Sequence, residues 1–145
     1  MLPALNESGD LPPGIHVASW ADVHERFGRG TLIRARAISR LRHLHELAAR
    51  TAALRRCYVF GSFVTSAPEP RDIDVVLVMS AEFRVEDCPR ESWTLFSHPD
   101  AQARHGASVF WLREGMLSDA SMKEFLETWQ LKRDGTKRGI VEIQP

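Results

Sequence analysis

The chain predicts an α+β domain in which helices flank a mixed β-sheet. Three observations point there. Residues 31–54 place Ile38, Leu41, Leu44 or His45, and Ala48 at helical spacing, which gives one apolar stripe. The Val-Val-Leu-Val run within 72–79 is short and β-branched, as expected of a strand buried on both faces. Further strand-like runs at 57–60, 108–112 and 139–143 alternate with helical segments, giving the order αα-β-β-β-α-β.

The elements follow from local chemistry. Residues 1–14 carry Pro3, Pro12 and Pro13 and read as an extended or loose arm. Ser19-Trp20-Ala21-Asp22 resembles a capping arrangement and opens a short helix to about Phe27, with Gly28 and Gly30 ending it. Thr31 caps the long helix that follows, to about Leu54. Cys57–Phe60 enters a Gly-Ser turn, and Pro68 and Pro70 prevent a long helix there. Residues 80–95 read as irregular or weakly helical. Pro99 suits the first turn of a helix to Arg104, with Gly106 as its terminator. Asp119 or Ser121 begins a helix to about Trp129, and a polar turn at Arg133-Asp134-Gly135 precedes the last strand.

With 145 residues, 43% of them hydrophobic, the chain has enough apolar material for one core. The expected organisation is an N-terminal arm over 1–15 and a single domain over 16–145. No apolar run approaches the roughly 20 residues a bilayer requires, and the N-terminus lacks the pattern of a secretory signal. A cytoplasmic protein with no membrane partner is expected. The formal net charge of zero conceals segregation. Nine arginines face one acid between Arg26 and Arg56, and eight acids face three arginines between Glu69 and Asp100. A basic segment of this kind either solvates the outside of a helix or tracks a phosphate backbone.

Chemistry concentrates in residues 58–79, YVFGSFVTSAPEPRDIDVVLVM. Side chains alternate along a strand, so Asp72 and Asp74 share one side while Ile73 and Val75 take the other. Two adjacent carboxylates suit a hard cation such as Mg2+ or Mn2+, which is commonly completed by substrate phosphates. Gly61-Ser62 stands where a strand is expected to meet a helix start, a place that favours an anion. A cation site beside a phosphate site implies a nucleoside triphosphate. Ordinary turn chemistry accounts for either half alone.

At these residues the chain resembles the DNA polymerase β-type nucleotidyltransferase superfamily, whose signature is Gly-Ser, a spacer, and Asp-x-Asp on the next strand. Nine residues, Phe63 to Arg71, form the spacer here. The opening LPPGIH, the GSFVT turn and the closing DGTKRGIVEI are also similar to a bacterial group of small nucleotidyltransferase-like proteins. The resemblance implies a nucleotidyltransferase-like sheet and transfer of a nucleoside monophosphate from an NTP to an unknown protein or RNA acceptor. Asp72 and Asp74 would hold the metal, and Gly61, Ser62 and Thr65 the nucleotide. The superfamily carries a third carboxylate on a neighbouring strand, where Ser108 stands in this chain. Glu142 is the first candidate to replace it, ahead of Asp100 and Glu114. The resemblance also implies an alternative: a catalytically degenerate nucleotide-binding or antitoxin-like protein of a bacterial toxin–antitoxin or defence pair. A homodimer or a partner toxin would complete so small a cleft. RNA binding through the arginine-rich helix is a third expectation.

Overall fold

A computed structural model describes residues 1–144. Strands β1 (Ile15–Ala18), β2 (Leu54–Phe60), β3 (Ile73–Met79), β4 (Ala107–Arg113) and β5 (Ile140–Ile143) form one sheet in the order β1-β5-β2-β3-β4. The β1–β5 and β3–β4 pairs are parallel, and β2 runs antiparallel to both its neighbours. The sheet is therefore mixed and the domain α+β, as the sequence predicts. Among the described residues, no helix is long and apolar enough to cross a membrane.

Helices α1 (Trp20–Phe27), α2 (Leu32–Ala49) and α3 (His98–His105) cover one face, and α4 (Asp119–Thr128) covers the other. The alternation of β3 divides the core accordingly. Ile73, Val75, Leu77 and Met79 pack with α1 and α2, whereas Val76 and Val78 pack with Tyr58, Leu112 and Leu126 under α4. Val75 to Met79 are all buried, as expected of a strand covered on both faces.

Both predicted caps form. The Ser19 hydroxyl accepts from the Asp22 N–H and the Asp22 carboxylate accepts from the Ser19 N–H, a reciprocal capping box. Thr31 Oγ1 accepts from the Arg34 N–H at 3.1 Å. The predicted continuation of α2 to Leu54 does not occur. The helix stops at Ala49, Ala52 turns left-handed at φ 59°, and β2 begins at Leu54. Arg55 and Arg56 look helical by polarity but lie at the open end of the sheet, beside Glu114 and Glu142. The irregular stretch after β3 contains two 3-10 segments, Val85–Asp87 and Arg90–Phe96.

The N-terminal segment is extended but not loose. Leu2 and Leu11 are buried, and Arg26 donates to the carbonyls of Leu2 and Pro3. Asp10 bridges to Thr65, and the Ser66 N–H donates to the Gly9 carbonyl. Strand β1 is not expected from the sequence: Ile15-His16-Val17 alternates over too few residues to mark a strand, its apolar side chains are exposed, and its conformation is set by pairing with β5.

The buried Arg34 organises the connection between β2 and β3. Its side chain is 6% exposed, yet no carboxylate pairs with it among the described residues. Its guanidinium donates instead to the carbonyls of Phe27, Phe63, Thr65 and Ala67, with the first three at 2.6–3.0 Å. Arg34→Ala would leave these inward carbonyls unmatched and is expected to cost about 3 kcal/mol or more in urea unfolding. Arg34→Lys keeps the charge but lacks the planar fork, and should recover only part of that loss.

Candidate active site

Strand β2 ends at Phe60, and the chain turns at Gly61 with φ 79°. A Cβ at this position would overlap the Asp74 carboxylate, which lies directly against the glycine. The turn continues as one 3-10 turn, Ser62–Val64, and not as the expected α-helix start. So short an element carries no appreciable macrodipole. Gly61 and Ser62 nonetheless line a cavity, and nothing among the described residues bonds the Ser62 hydroxyl.

Asp74 sits opposite Phe60 across β2–β3, and Asp72 immediately precedes β3. Both carboxylates line the same open cavity of about 960 Å³, as the alternation argument requires. That volume is at the upper end of the range for small-molecule sites. Burial first, and then the Asp72 charge, push the Asp74 carboxyl up from 3.8 to about 6, against the pull of Arg138. Charges of both signs surround the pair: Glu69 and Asp134 also line the cavity, as do Arg71, Lys132, Arg133 and Arg138. Two of these are positioned by the N-terminal segment. Buried Asp10 lies 2.7 Å from Lys132 Nζ and 3.7 Å from Arg138 Nη1. Trp129 forms part of the wall, its ring 4.6 Å from those of both Phe60 and Phe110.

The other expected residues stand elsewhere. Thr65 is buried beneath the turn. Its hydroxyl donates to the Ser62 carbonyl at 2.6 Å and accepts from the Ala67 N–H at 3.1 Å, so it shapes the corner without lining the cavity. Glu142 lies two strands and two residues from Asp74, about 12 Å away by strand spacing and rise. It faces Arg56 at 3.5 Å in a second cavity of about 420 Å³, and the structure does not bring it to the aspartate pair. Glu114 belongs to that second cavity, with Arg55 at 3.3 Å, and Asp100 occupies the first turn of α3. Ser108 is in register with Asp74 across β3–β4, at the position expected of the third carboxylate.

The donor set fits one hard cation: two carboxylates share a wall, and burial and mutual repulsion raise one of them, which a positive charge would relieve. Among the described residues, no three Asp, Glu, His or Cys side chains cluster as metal ligands.

These features define an α+β domain with an acid pair set in a cavity of mixed charge. The chain belongs to the DUF6932 family, a family of unknown function, whose model matches residues 3–144. No curated protein and no solved structure matches the chain.

Asp74 carries a sign-specific consequence. Its folded-state pKa lies above the ordinary value, so its contribution favours the fold below about pH 4 and is lost as pH rises through about 6. A shift of that size corresponds to at most about 3 kcal/mol. Solvent in the open cavity reduces this to on the order of 1 kcal/mol. Asp74→Asn should therefore raise the melting temperature of the ligand-free protein at pH 7.5 and leave it nearly unchanged at pH 4. A melting-temperature series across pH checks this, and a lower melting temperature at pH 7.5 refutes it.

Proposed function

We propose that the protein is a metal-dependent nucleotidyltransferase that moves a nucleoside monophosphate from an NTP to an acceptor. The observation that carries this reading is the shared cavity, in which Asp72 and Asp74 stand beside the Gly61-Ser62 corner, with Arg71, Lys132, Arg133 and Arg138 on the same walls. Asp72 and Asp74 would hold Mg2+ or Mn2+, which when bound offsets charge on the phosphoryl oxygens and orients them. Ser62 offers a free hydroxyl to a phosphate oxygen, and the absence of a side chain at Gly61 lets Asp74 reach the same spot. Lys132 and Arg138 supply positive charge where a triphosphate accumulates negative charge. A hydroxyl of the acceptor attacks the α-phosphorus and gives up its proton to water, a new P–O bond forms, and pyrophosphate leaves with the electrons of the broken one. The residues contribute positioning and electrostatic complementarity rather than a covalent step.

A second reading has its own support. Ser108 in register with Asp74 adds no charge, and Glu142 is engaged by Arg56 at 3.5 Å. A site that binds metal-nucleotide without transferring it, in a regulatory or antitoxin role with a toxin partner, fits those two facts.

Incubation with α-labelled NTPs, Mg2+ or Mn2+, and total cell RNA and protein distinguishes the readings. Transferred label is expected, reduced by about a hundredfold or more in Asp72→Asn and Asp74→Asn. Nucleotide-dependent thermal stabilisation without any transfer would instead establish the binder. Gly61→Ala should weaken nucleotide binding in either case, since the added methyl displaces the Asp74 carboxylate.

A further inference from the structure

Apart from Arg34, the arginines of α2 play no part in the aspartate cavity. Arg36, Arg40 and His43 lie on one exposed stripe of the helix, and Arg50, its C-terminal cap, continues the line. At 1.5 Å per residue the stripe is roughly 21 Å long. A cleft of about 370 Å³ runs beside its C-terminal half, lined by His43, Leu47, Arg50, Arg90, Arg104 and His105. Arg40 continues the basic surface at the end of α3, where its Nη1 would lie 3.2 Å from a Cβ at Gly106.

Acids are scarce on this surface. Glu91 is the one carboxylate lining the cleft and lies 3.6 Å from Arg50, with both side chains about half exposed. Among the described residues, no carboxylate pairs with Arg36, Arg40, Arg90 or Arg104. Like charges gathered this way repel one another and add nothing to the core. Trp93 stands at the edge, 41% exposed, with the Arg90 guanidinium 5.6 Å from its ring centre.

We infer that the α2 stripe and its cleft bind single-stranded nucleic acid, with arginines on successive phosphates and the Trp93–Arg90 pair stacking an unpaired base. A line of guanidiniums, of which Arg36 and Arg40 have no carboxylate partner among the described residues, matches a regularly charged backbone, and the exposed aromatic beside it suits a base rather than an acidic peptide. Asp72 and Asp74 have no role in this surface, so the inference stands or falls apart from the transferase reading.

Anisotropy of a labelled 12-nucleotide RNA, and of DNA with the same sequence, tests it on the full chain. Four arginines on phosphates, Arg36, Arg40, Arg50 and Arg104, give an expected slope of about −3 in log affinity against log salt. The combined variant Arg36→Gln, Arg40→Gln, Arg104→Gln should weaken binding by about tenfold or more and flatten that slope by about 2. Glu91→Gln should tighten binding by about threefold, a gain that misfolding could not mimic. Asp72→Asn should leave the affinity unchanged. No saturable binding at low salt, binding that ignores the arginine changes, or equal competition by a poly-glutamate peptide of matched charge would each overturn the inference. Similar affinity for RNA and DNA supports phosphate and stacking contacts, and preference for RNA adds a 2′-hydroxyl contact.

Discussion

A single buried guanidinium fixes the shape on which the site depends. Arg34 enters from α2 and accounts for the inward carbonyls of Phe63, Thr65 and Ala67, together with that of Phe27 at the end of α1. Without such a donor, a loop with three carbonyls turned inward would bury unmatched acceptors. With it, the β2–β3 connection becomes rigid enough to hold Gly61 against Asp74. Desolvation holds the Arg34 pKa below its ordinary value. An arginine tolerates that better than a lysine, because its charge is delocalised and weakly hydrated. The same loop is braced from outside, where Gly9 has no room for a side chain beside Ser66.

The cavity joins chain segments that are far apart in sequence. Its aspartate pair comes from the start of β3, its corner from the end of β2, and Lys132, Arg133 and Arg138 from the segment between α4 and β5. Asp10 couples the last of these to the N-terminal segment, since it alone is buried among residues that Lys132 and Arg138 reach. This ion pair differs from the exposed pairs such as Arg29–Glu25 and Arg84–Glu86, which contribute little to stability. Removing Asp10 would free two cations toward the aspartates, so the N-terminal segment sets the charge balance of the cavity as well as covering the core.

Much of this was legible in residue order. The alternation around Ile73 placed both aspartates on one side, and the strand 108–112 was readable with Ser108 at its inward position. Helix caps at Ser19 and Thr31 were readable because they depend on neighbours three residues away. Contacts set by tertiary structure were not. Arg34 is one arginine among nine in its segment, and only packing distinguishes it from the solvated ones. Asp10 and Lys132 are 122 residues apart, and no local pattern links them. Thr65 belongs to the GSFVT turn in sequence, yet the single 3-10 turn rotates its hydroxyl inward to serve Ser62 and Ala67. Glu142 was readable as a carboxylate on an apolar strand, but its distance from the pair depends on strand order, which the sequence does not state. Lys132, Arg133 and Arg138 read in sequence as a polar turn and its flanks, and only the fold sets them in the cavity of the aspartates.

The zero net charge is a sum over two separated fields. Mixing the charges would have given more ion pairs at no cost to the core, because the arginines of α2 are mostly exposed and their positions tolerate either sign. The chain instead keeps like charges together on α2 and places its acid pair on the far face of the sheet, where Asp74 ionises only against burial and Asp72. Neither arrangement is favourable for the isolated fold. A ligand of opposite sign would relieve either one, and a polyanion suited to the helix stripe would be repelled by the aspartates unless a cation intervened.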